Sequence, residues 1–262
     1  NYIIQLEPFK YSKTYRFEDI SYTASSVVEQ ERIFLDYGDI INGFDSTADI
    51  QVTIHNNRVN EKDFAEQILL KMKKDGFDEY REEYNEMLLD KMQQGQNGIS
   101  CKKYITVTVT AVDLETANQR FNTLELHLTT GFQKIGTKLE VLNANQRIRI
   151  LTDIFRGVNK EIRPISTDEF MRGAEKSLCC PDYFEFKKDY FMYNNKYART
   201  VFSRQLPSSL KDSILTDIAE TNLNVIITVN MSPVEPDKAI KKVKRQLTAM
   251  RSNKIQIEKK AA

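Results

Sequence analysis

The stretch KKYITVTVTAV, residues 102–112, decides the fold class, because it is the clearest strand in the chain. It is rich in β-branched residues, a composition that favours a pleated, half-buried strand. Asp113 follows it at the position of a helix N-cap, and LETANQRFNTLELHL begins a helix that is predicted from Leu114 to about Thr130. A strand therefore leads directly into a helix in this part of the chain.

Similar patterns on both sides extend this alternation. ADIQVTIH (48–55) alternates with period two and predicts a strand. EKDFAEQILLKMKK (61–74) and FDEYREEYNEMLLDKMQQ (77–94) have apolar residues at helical spacing, which predicts two helices or one long helix interrupted at a glycine. Further along, KLEVL (138–142) predicts a strand and NQRIRILTDIF (145–155) a short helix.

The second half of the chain repeats this order. DYFEFKKDYFMYNNKYARTVFSR (182–204) predicts an aromatic strand meander with turns at KKD and NNK. A helix is predicted from the capping pair at 208–209, and LNVIITVNMS (223–232) predicts a further strand. Pro236 stands at a typical first helical position and opens a long final helix.

These elements predict an α+β fold with mixed or antiparallel sheets and packed helices. They form two strand–helix–strand–helix halves, with a long basic helix at the C-terminus. The less regular stretch 157–181 contains two prolines and two glycines and predicts a connection. We therefore predict an N-terminal subdomain over 1–156 and a second subdomain over 182–262.

GFQKIGTK (131–138) is close to a phosphate-binding loop but differs from one in two respects. Gly131 and Gly136 have the P-loop spacing, but Thr137 precedes Lys138, whereas a P-loop places the Lys before the hydroxyl residue. A P-loop also joins a strand to a following helix, whereas here the predicted helix comes first. We interpret Gly131 as the end of that helix and Gly136 as a turn into a strand.

The residue types that usually hold metals or perform catalysis are few and lack motif spacing. The chain has three cysteines and two histidines, and no C-x-x-C motif. We interpret Cys179 and Cys180 as two buried apolar thiols, and His55 and His127 as packing or surface residues. The acidic run DEYREEYNEM (78–87) lacks the Glu-x-x-His pattern of a di-iron helix and predicts a solvated helix face. We therefore predict no catalytic, cofactor-binding or metal-binding residue, and no enzymatic activity for this chain.

The composition argues against a membrane-spanning segment in this sequence. Uninterrupted apolar runs, such as that within NVIITV, do not exceed about four to five residues, far below the roughly 20 that a spanning helix needs. Three cysteines suit a reducing cytoplasm. The sequence predicts a cytoplasmic chain with no membrane span.

Two stretches carry a family resemblance. EEYNEMLLDKMQQGQNGISCKKYITVTV (82–109) and YFMYNNKYARTVFSRQLPSSLKDSILTDIAETNLNVIITVNMSPVEPDKAIKKVKRQL (190–247) resemble the N-terminal region of the VirB-type conjugation ATPases of type IV secretion systems. The branch that these stretches resemble is the TraE/TrsE-like one of Gram-positive conjugative elements. In the longer stretch an aromatic–Ala–Arg strand leads to a proline, a KDS-containing helix, a strand ending near a proline and a charged helix. The resemblance runs from about Phe34 to the end of the chain.

This resemblance implies a non-catalytic docking and assembly domain that links an ATP motor to a membrane channel. The family's motor, with its ATP and Mg²⁺ sites, would follow Ala262, and we expect the chain to be a piece of a longer protein. The implied partners are the membrane subunits of the conjugation channel, other copies of the ATPase and its own motor domain. The implied location is the inner face of the cell membrane, as a peripheral cytoplasmic protein.

The charge distribution favours a second hypothesis, a nucleic-acid-binding module. Residues 237–262 contain nine Lys/Arg against two carboxylates, a net +7, which leaves −6 for the rest of a chain whose total is +1. The aromatic strands add rings near basic residues, as in single-strand binders. The candidate interface on the final helix comprises Lys238, Lys241, Lys242, Lys244, Arg245 and Arg251.

Two patterns argue against this hypothesis and make nucleic acid the less favoured partner. Ile240, Val243, Leu247 and Met250 form an apolar stripe at helical spacing, so the charges can be its solvated side. We expect that stripe to be buried, against this domain or a following segment. We also expect the alternating aromatics of 182–204 to fill a core rather than a binding surface.

Overall fold

A computed structural model describes residues 2–20, 22, 24–58, 69–93, 99–157, 175–205, 209, 214–219, 221 and 223–261. The fold is α+β with two antiparallel sheets, which confirms the predicted fold class. A large sheet lies between helices. A small sheet of three short strands lies beside it.

The large sheet has six strands and is antiparallel throughout. Its strands are β1 (Ile4–Glu7), β2 (Lys10–Phe17), β3 (Ala48–Arg58), β4 (Ile99–Thr110), β5 (Leu139–Val141) and β9 (Val225–Met231). Their order is β1-β2-β4-β3-β9, and β5 pairs with the outer edge of β2 next to β1. The small sheet has the order β6-β7-β8, with β6 at Phe184–Phe186, β7 at Phe191–Tyr193 and β8 at Lys196–Ala198.

Seven helices occur in the described part of the chain. They are α1 (Val27–Asn42), α2 (Asp78–Gln93), α3 (Leu114–Lys134), α4 (Ala144–Arg156), α5 (Glu175–Cys179), α6 (Ile214–Ala219) and α7 (Pro236–Ala261). Three of these helices begin at an N-cap residue, whose side chain accepts a hydrogen bond from a backbone N–H that has no partner within the helix. The predicted cap Asp113 accepts from Thr116 N at 2.7 Å, and Ser26 caps α1. Asn143 forms a reciprocal capping box with Gln146 on α4.

The main core lies between one face of the large sheet and the helices α1 and α3. Tyr15, Val107 and Ile50 come from adjacent strands and are buried there. Phe121 and Phe132 of α3 pack against them from the helix layer. Sheet residues alternate between the two faces, so the neighbours of these core residues on each strand point to the opposite face. That opposite face lies under α4.

The prediction that Gly131 ends a helix is wrong. α3 continues to Lys134, so Gly131 lies inside the helix and does not end it. A Cβ on Gly131 would lie 2.4 Å from Cγ1 of the buried Ile40 on α1, so glycine is needed for the close approach of the two helices. Gly136, with φ of +84°, makes the predicted turn before β5.

The division into two subdomains also needs correction. β9 belongs to the predicted second subdomain, 182–262, but it pairs with β3 along seven residues and completes the large sheet. The predicted boundaries 1–156 and 182–262 therefore do not separate two sheets. The pairing of β9 with β3 joins residues far apart in the chain, and no local pattern specifies such a partner.

Two helix predictions are only partly tested. The predicted helix over 61–74 is wrong for residues 69–74, which are not helical, and its first part lies outside the described residues. Asn85 explains why this segment is not helical, because its side chain forms hydrogen bonds with both the N–H and the carbonyl of Leu70. The helix predicted from 208–209 lies mostly outside the described residues, and α6 is the part that is described.

Candidate docking surfaces

Four aromatic rings cover one face of the small sheet. Phe184 lies opposite Tyr193, and Phe186 lies opposite Phe191, so all four side chains point to the same side. Neighbouring ring centroids are 6.0 to 6.3 Å apart. We call these four residues the aromatic surface.

The aromatic surface is open to solvent. Phe184 is 50% exposed and Phe186 is 77% exposed, while Phe191 and Tyr193 are half-buried. The prediction that these aromatics fill a core is therefore wrong for the described chain. The rings lie in stacked or tilted contact on a three-stranded sheet, and two of them are at least half exposed.

Polar contacts hold the small sheet in place. Asn194 and Asn195 adopt positive φ values of 45° and 62° at the turn between β7 and β8, which confirms the predicted NNK turn. Their side chains accept from Asp182 N at 3.0 Å and from the Tyr183 hydroxyl at 2.7 Å. At the end of α4, Arg156 donates to Asp182 and to the carbonyl of Cys180, which links the small sheet to the helix above the large one.

The six basic residues of the candidate interface lie on the first part of α7 and are all exposed. Helical geometry divides them between two sides. Lys238, Lys241, Lys242 and Arg245 follow each other at spacings of one, three or four residues on the outer side. Lys244 and Arg251 lie seven residues apart, beside the apolar stripe.

The apolar stripe of α7 is exposed as well. Ile240 is 51% exposed, Val243 54%, Leu247 48% and Met250 70%. Of the described side chains of α7, residues 236–251, only that of Ala239 is partly buried. The expected burial of the stripe against this domain is therefore wrong, and α7 presents both a charged side and an apolar side to solvent.

A groove of about 650 Å³ separates the second face of the large sheet from α4. Its floor is rich in threonine, with Thr14, Thr106 and Thr108 on β2 and β4. Its wall is the apolar side of α4, which includes Ile150 and Phe155. The groove is large enough for a small ligand.

The polar groups of this groove already bond to one another. Thr14 and Thr106 share a hydrogen bond of 2.9 Å, and the Ser232 hydroxyl donates to Asp49 at 2.6 Å. Arg147 of α4 donates to the carbonyl and hydroxyl of Ser12, at 2.9 and 2.7 Å. Desolvation lowers the pKa of Arg147 to about 10, so the guanidinium keeps its charge at neutral pH. Among the described residues, the lining of the groove thus contains one structural cation and no histidine, lysine or cysteine.

In the P-loop-like stretch a helix precedes Gly136 and a strand follows it, as predicted, but Gly131 lies within the helix. Thr137 is buried, and its hydroxyl donates to the carbonyl of Glu18 at 2.8 Å. The hydroxyl that would hold Mg²⁺ in a phosphate loop is therefore used in a contact between two loops.

The histidines lie on a strand and a helix, as predicted. His55 is buried on β3, and burial is the main reason that its pKa is lowered. His127 on α3 lies 3.0 Å from the carbonyl of Ile40. Cys179 is buried but Cys180 is exposed, so the prediction of two buried thiols is wrong for Cys180. Within the described residues no group of three or more His, Cys, Asp or Glu side chains could hold a metal ion.

Among the helices of the described ranges, none is both long and apolar enough to cross a membrane. Comparison with known proteins adds no assignment: no family model matches the chain, and a search of curated proteins finds no significant match.

Proposed function

We propose that the chain is a non-catalytic docking and assembly domain of a conjugative-transfer ATPase, and that the aromatic surface is its main contact with the channel. The observation that supports this proposal is the exposed cluster of four rings, with Phe186 at 77% exposure. Contiguous exposed aromatics are typical of sites that bind another protein, and aromatic residues dominate the binding energy of such sites.

The apolar character of this face favours a protein partner over nucleic acid. Glu185 lies on β6 between the two exposed phenylalanines, so its side chain points to the opposite face, where its carboxylate pairs with Lys187 at 2.5 Å. Lys196 lies opposite Tyr193 and shares the face of the four rings. Four contiguous rings suit an apolar protein surface, whereas a phosphate backbone is bound chiefly through several cations.

The identity of the partner comes from the family resemblance. In this proposal the aromatic surface binds the membrane subunits of the conjugation channel, and the domain stays peripheral at the inner face of the cell membrane. ATP and Mg²⁺ belong to a separate motor domain of the parent protein, and the chain itself turns over no nucleotide.

Co-purification of the chain with those membrane subunits tests the proposal. Phe186→Ser removes the most exposed ring of the aromatic surface and should abolish recovery of the complex. Tyr197→Ser is the matched control, because Tyr197 is 74% exposed but lies opposite Met192, on the other face of the same sheet. Equal recovery with both variants would refute the role of this surface.

Nucleic-acid binding is a second candidate function, and the exposed basic residues of α7 favour it. All six of them are open to solvent, and the segment 237–262 carries a net +7. A helix of this charge can contact phosphates without reading bases. Binding to single-stranded DNA that falls steeply with salt would support this function.

A further inference from the structure

The exposed apolar stripe of α7 follows a seven-residue repeat. In heptad notation, Ile240 and Leu247 occupy successive a positions, and Val243 and Met250 occupy successive d positions. In the sequence, Lys254 and Ile257 continue the same a and d series, and the helix itself continues to Ala261. We call these six positions the heptad seam.

This spacing specifies the kind of surface that covers the seam. A helix that packs on a sheet or in a globular core usually has a wider apolar side, with a third position in each heptad. A strict a/d repeat keeps a narrow line of side chains in contact with a second helix as the two supercoil. At 1.5 Å per residue the seam from residue 240 to 257 is roughly 26 Å long.

No described part of the same chain supplies that second helix. The four described seam residues are 48% to 70% exposed, so no described helix of this chain covers them. We therefore consider a helix of another chain as the partner.

The charges beside the seam favour a second copy of α7 in parallel orientation. In a parallel pair, the e position of one helix meets the g position of the other. Lys244 and Arg251 occupy e, and they would meet Ala239 and Gln246, which are uncharged. In an antiparallel pair e positions face each other, so that Lys244 and Arg251 would oppose like charges.

We propose that α7 forms a parallel two-stranded coiled coil with α7 of a second copy of this chain. Ile240, Val243, Leu247 and Met250 form the buried layers. The remaining basic residues stay on the outside, where those of one helix repel those of the other.

Because of this repulsion, self-association and phosphate binding should depend on salt in opposite directions. The Debye length falls from about 10 Å at 0.1 M salt to about 3 Å at 1 M, so the outer charges of a dimer repel less at high salt. The coiled coil should therefore tighten as salt rises. Binding to a nucleic acid or to an anionic lipid through the same charges should weaken over the same range.

Sedimentation of the full chain over about 5 to 500 µM tests the proposal, because the dimer fraction depends on concentration. The chain should dimerise within this range, and Leu247→Glu should weaken the dimer at least tenfold (about 1.4 kcal/mol). Thr248→Glu is the matched control, since it adds the same charge one residue away, outside the seam, and should leave dimerisation within about twofold. A monomer at all concentrations, or equal effects of the two variants, would overturn the proposal.

A cross-link tests the orientation. In a variant with Cys101, Cys179 and Cys180 changed to Ser, Met250→Cys should form an oxidised covalent dimer, because identical d positions meet only in a parallel pair. A dimer that does not cross-link at this position would refute the parallel arrangement. These variants leave the aromatic surface unchanged, so failure of this proposal and failure of channel docking are separate results.

Discussion

Phe184 on β6 lies directly opposite Tyr193 on β7, with ring centroids 6.2 Å apart and ring planes inclined by 28°. The next pair, Phe186 and Phe191, extends the same apolar face on a sheet of only three short strands. A sheet of this size gains most of its stability from packing its apolar face against something else. We propose that a surface of the docking partner packs on this face.

Two helix glycines should respond in opposite directions to alanine. Gly131→Ala places a Cβ 2.4 Å from the buried Ile40 and should destabilise the fold by about 1–3 kcal/mol. Gly38→Ala in α1 meets no atom within 4 Å and should stabilise it by roughly 0.5–1 kcal/mol, since alanine has the higher helix propensity. Urea unfolding of both variants measures the difference. The same sign for both changes would contradict the close α1–α3 packing.

The ion pair between Lys13 of β2 and Glu125 of α3 should be sensitive to loss of one partner. The Lys13 side chain is 9% exposed, so Glu125→Gln leaves its charge buried without a counter-ion and should cost about 2 kcal/mol. Glu140→Gln is the control, because its partner Arg16 is 45% exposed, and should cost less than about 1 kcal/mol. Adding Lys13→Met to Glu125→Gln should recover most of the loss in the same denaturation assay.

His55 should make stability depend on pH near neutrality. Burial and the charge of Lys102, its neighbour across the β3–β4 pair, lower the pKa of His55 below its ordinary value, and a bond with Asn57 only partly opposes this. Below about pH 6.5 the unfolded chain therefore binds the proton more readily, so stability should fall from pH 7 down to the folded-state pKa.

NMR titration of the His55 ring gives this pKa directly, and Lys102→Met should move it upward. The urea midpoint should then fall less with pH in that variant. A titration at or above 6.5 in the unmodified chain would contradict the burial of an uncharged imidazole in β3.

The local sequence pattern was sufficient to predict those helices and strands whose signals lie within a few residues. The β-branched run of β4, the Asp113 cap of α3 and Pro236 at the start of α7 each specify a conformation by their own chemistry. No such signal predicted β2, although it is a central strand, since buried Lys13 and Ser12 interrupt its apolar pattern. No helix or strand before residue 48 was predicted from the sequence.

The candidate surfaces were predicted less well, because burial depends on partners distant in sequence. The aromatic alternation of 182–204 specifies strands equally well whether the rings face a core or solvent. Likewise, the stripe of Ile240, Val243, Leu247 and Met250 predicts a helix with an apolar side but not what covers it. The strict a/d spacing was present in the sequence and could have suggested a helical partner.

The basic residues of α7 should bind single-stranded DNA only weakly if the domain serves docking. Changing Lys241, Lys242, Lys244 and Arg245 to Ala should then alter little in a fluorescence anisotropy titration at physiological salt. Tight binding of the unmodified chain, with a steep salt dependence that this variant flattens, would favour the nucleic-acid hypothesis.

Recovery of the chain with the membrane subunits of a conjugation channel tests the central claim most directly. Co-expression followed by purification through a tagged membrane subunit should retain the unmodified chain and Tyr197→Ser in similar amounts, and should lose Phe186→Ser. Circular dichroism should show that both variants keep the fold, since both positions are exposed. No recovery of the unmodified chain, or equal recovery of Phe186→Ser, would contradict docking through the aromatic surface.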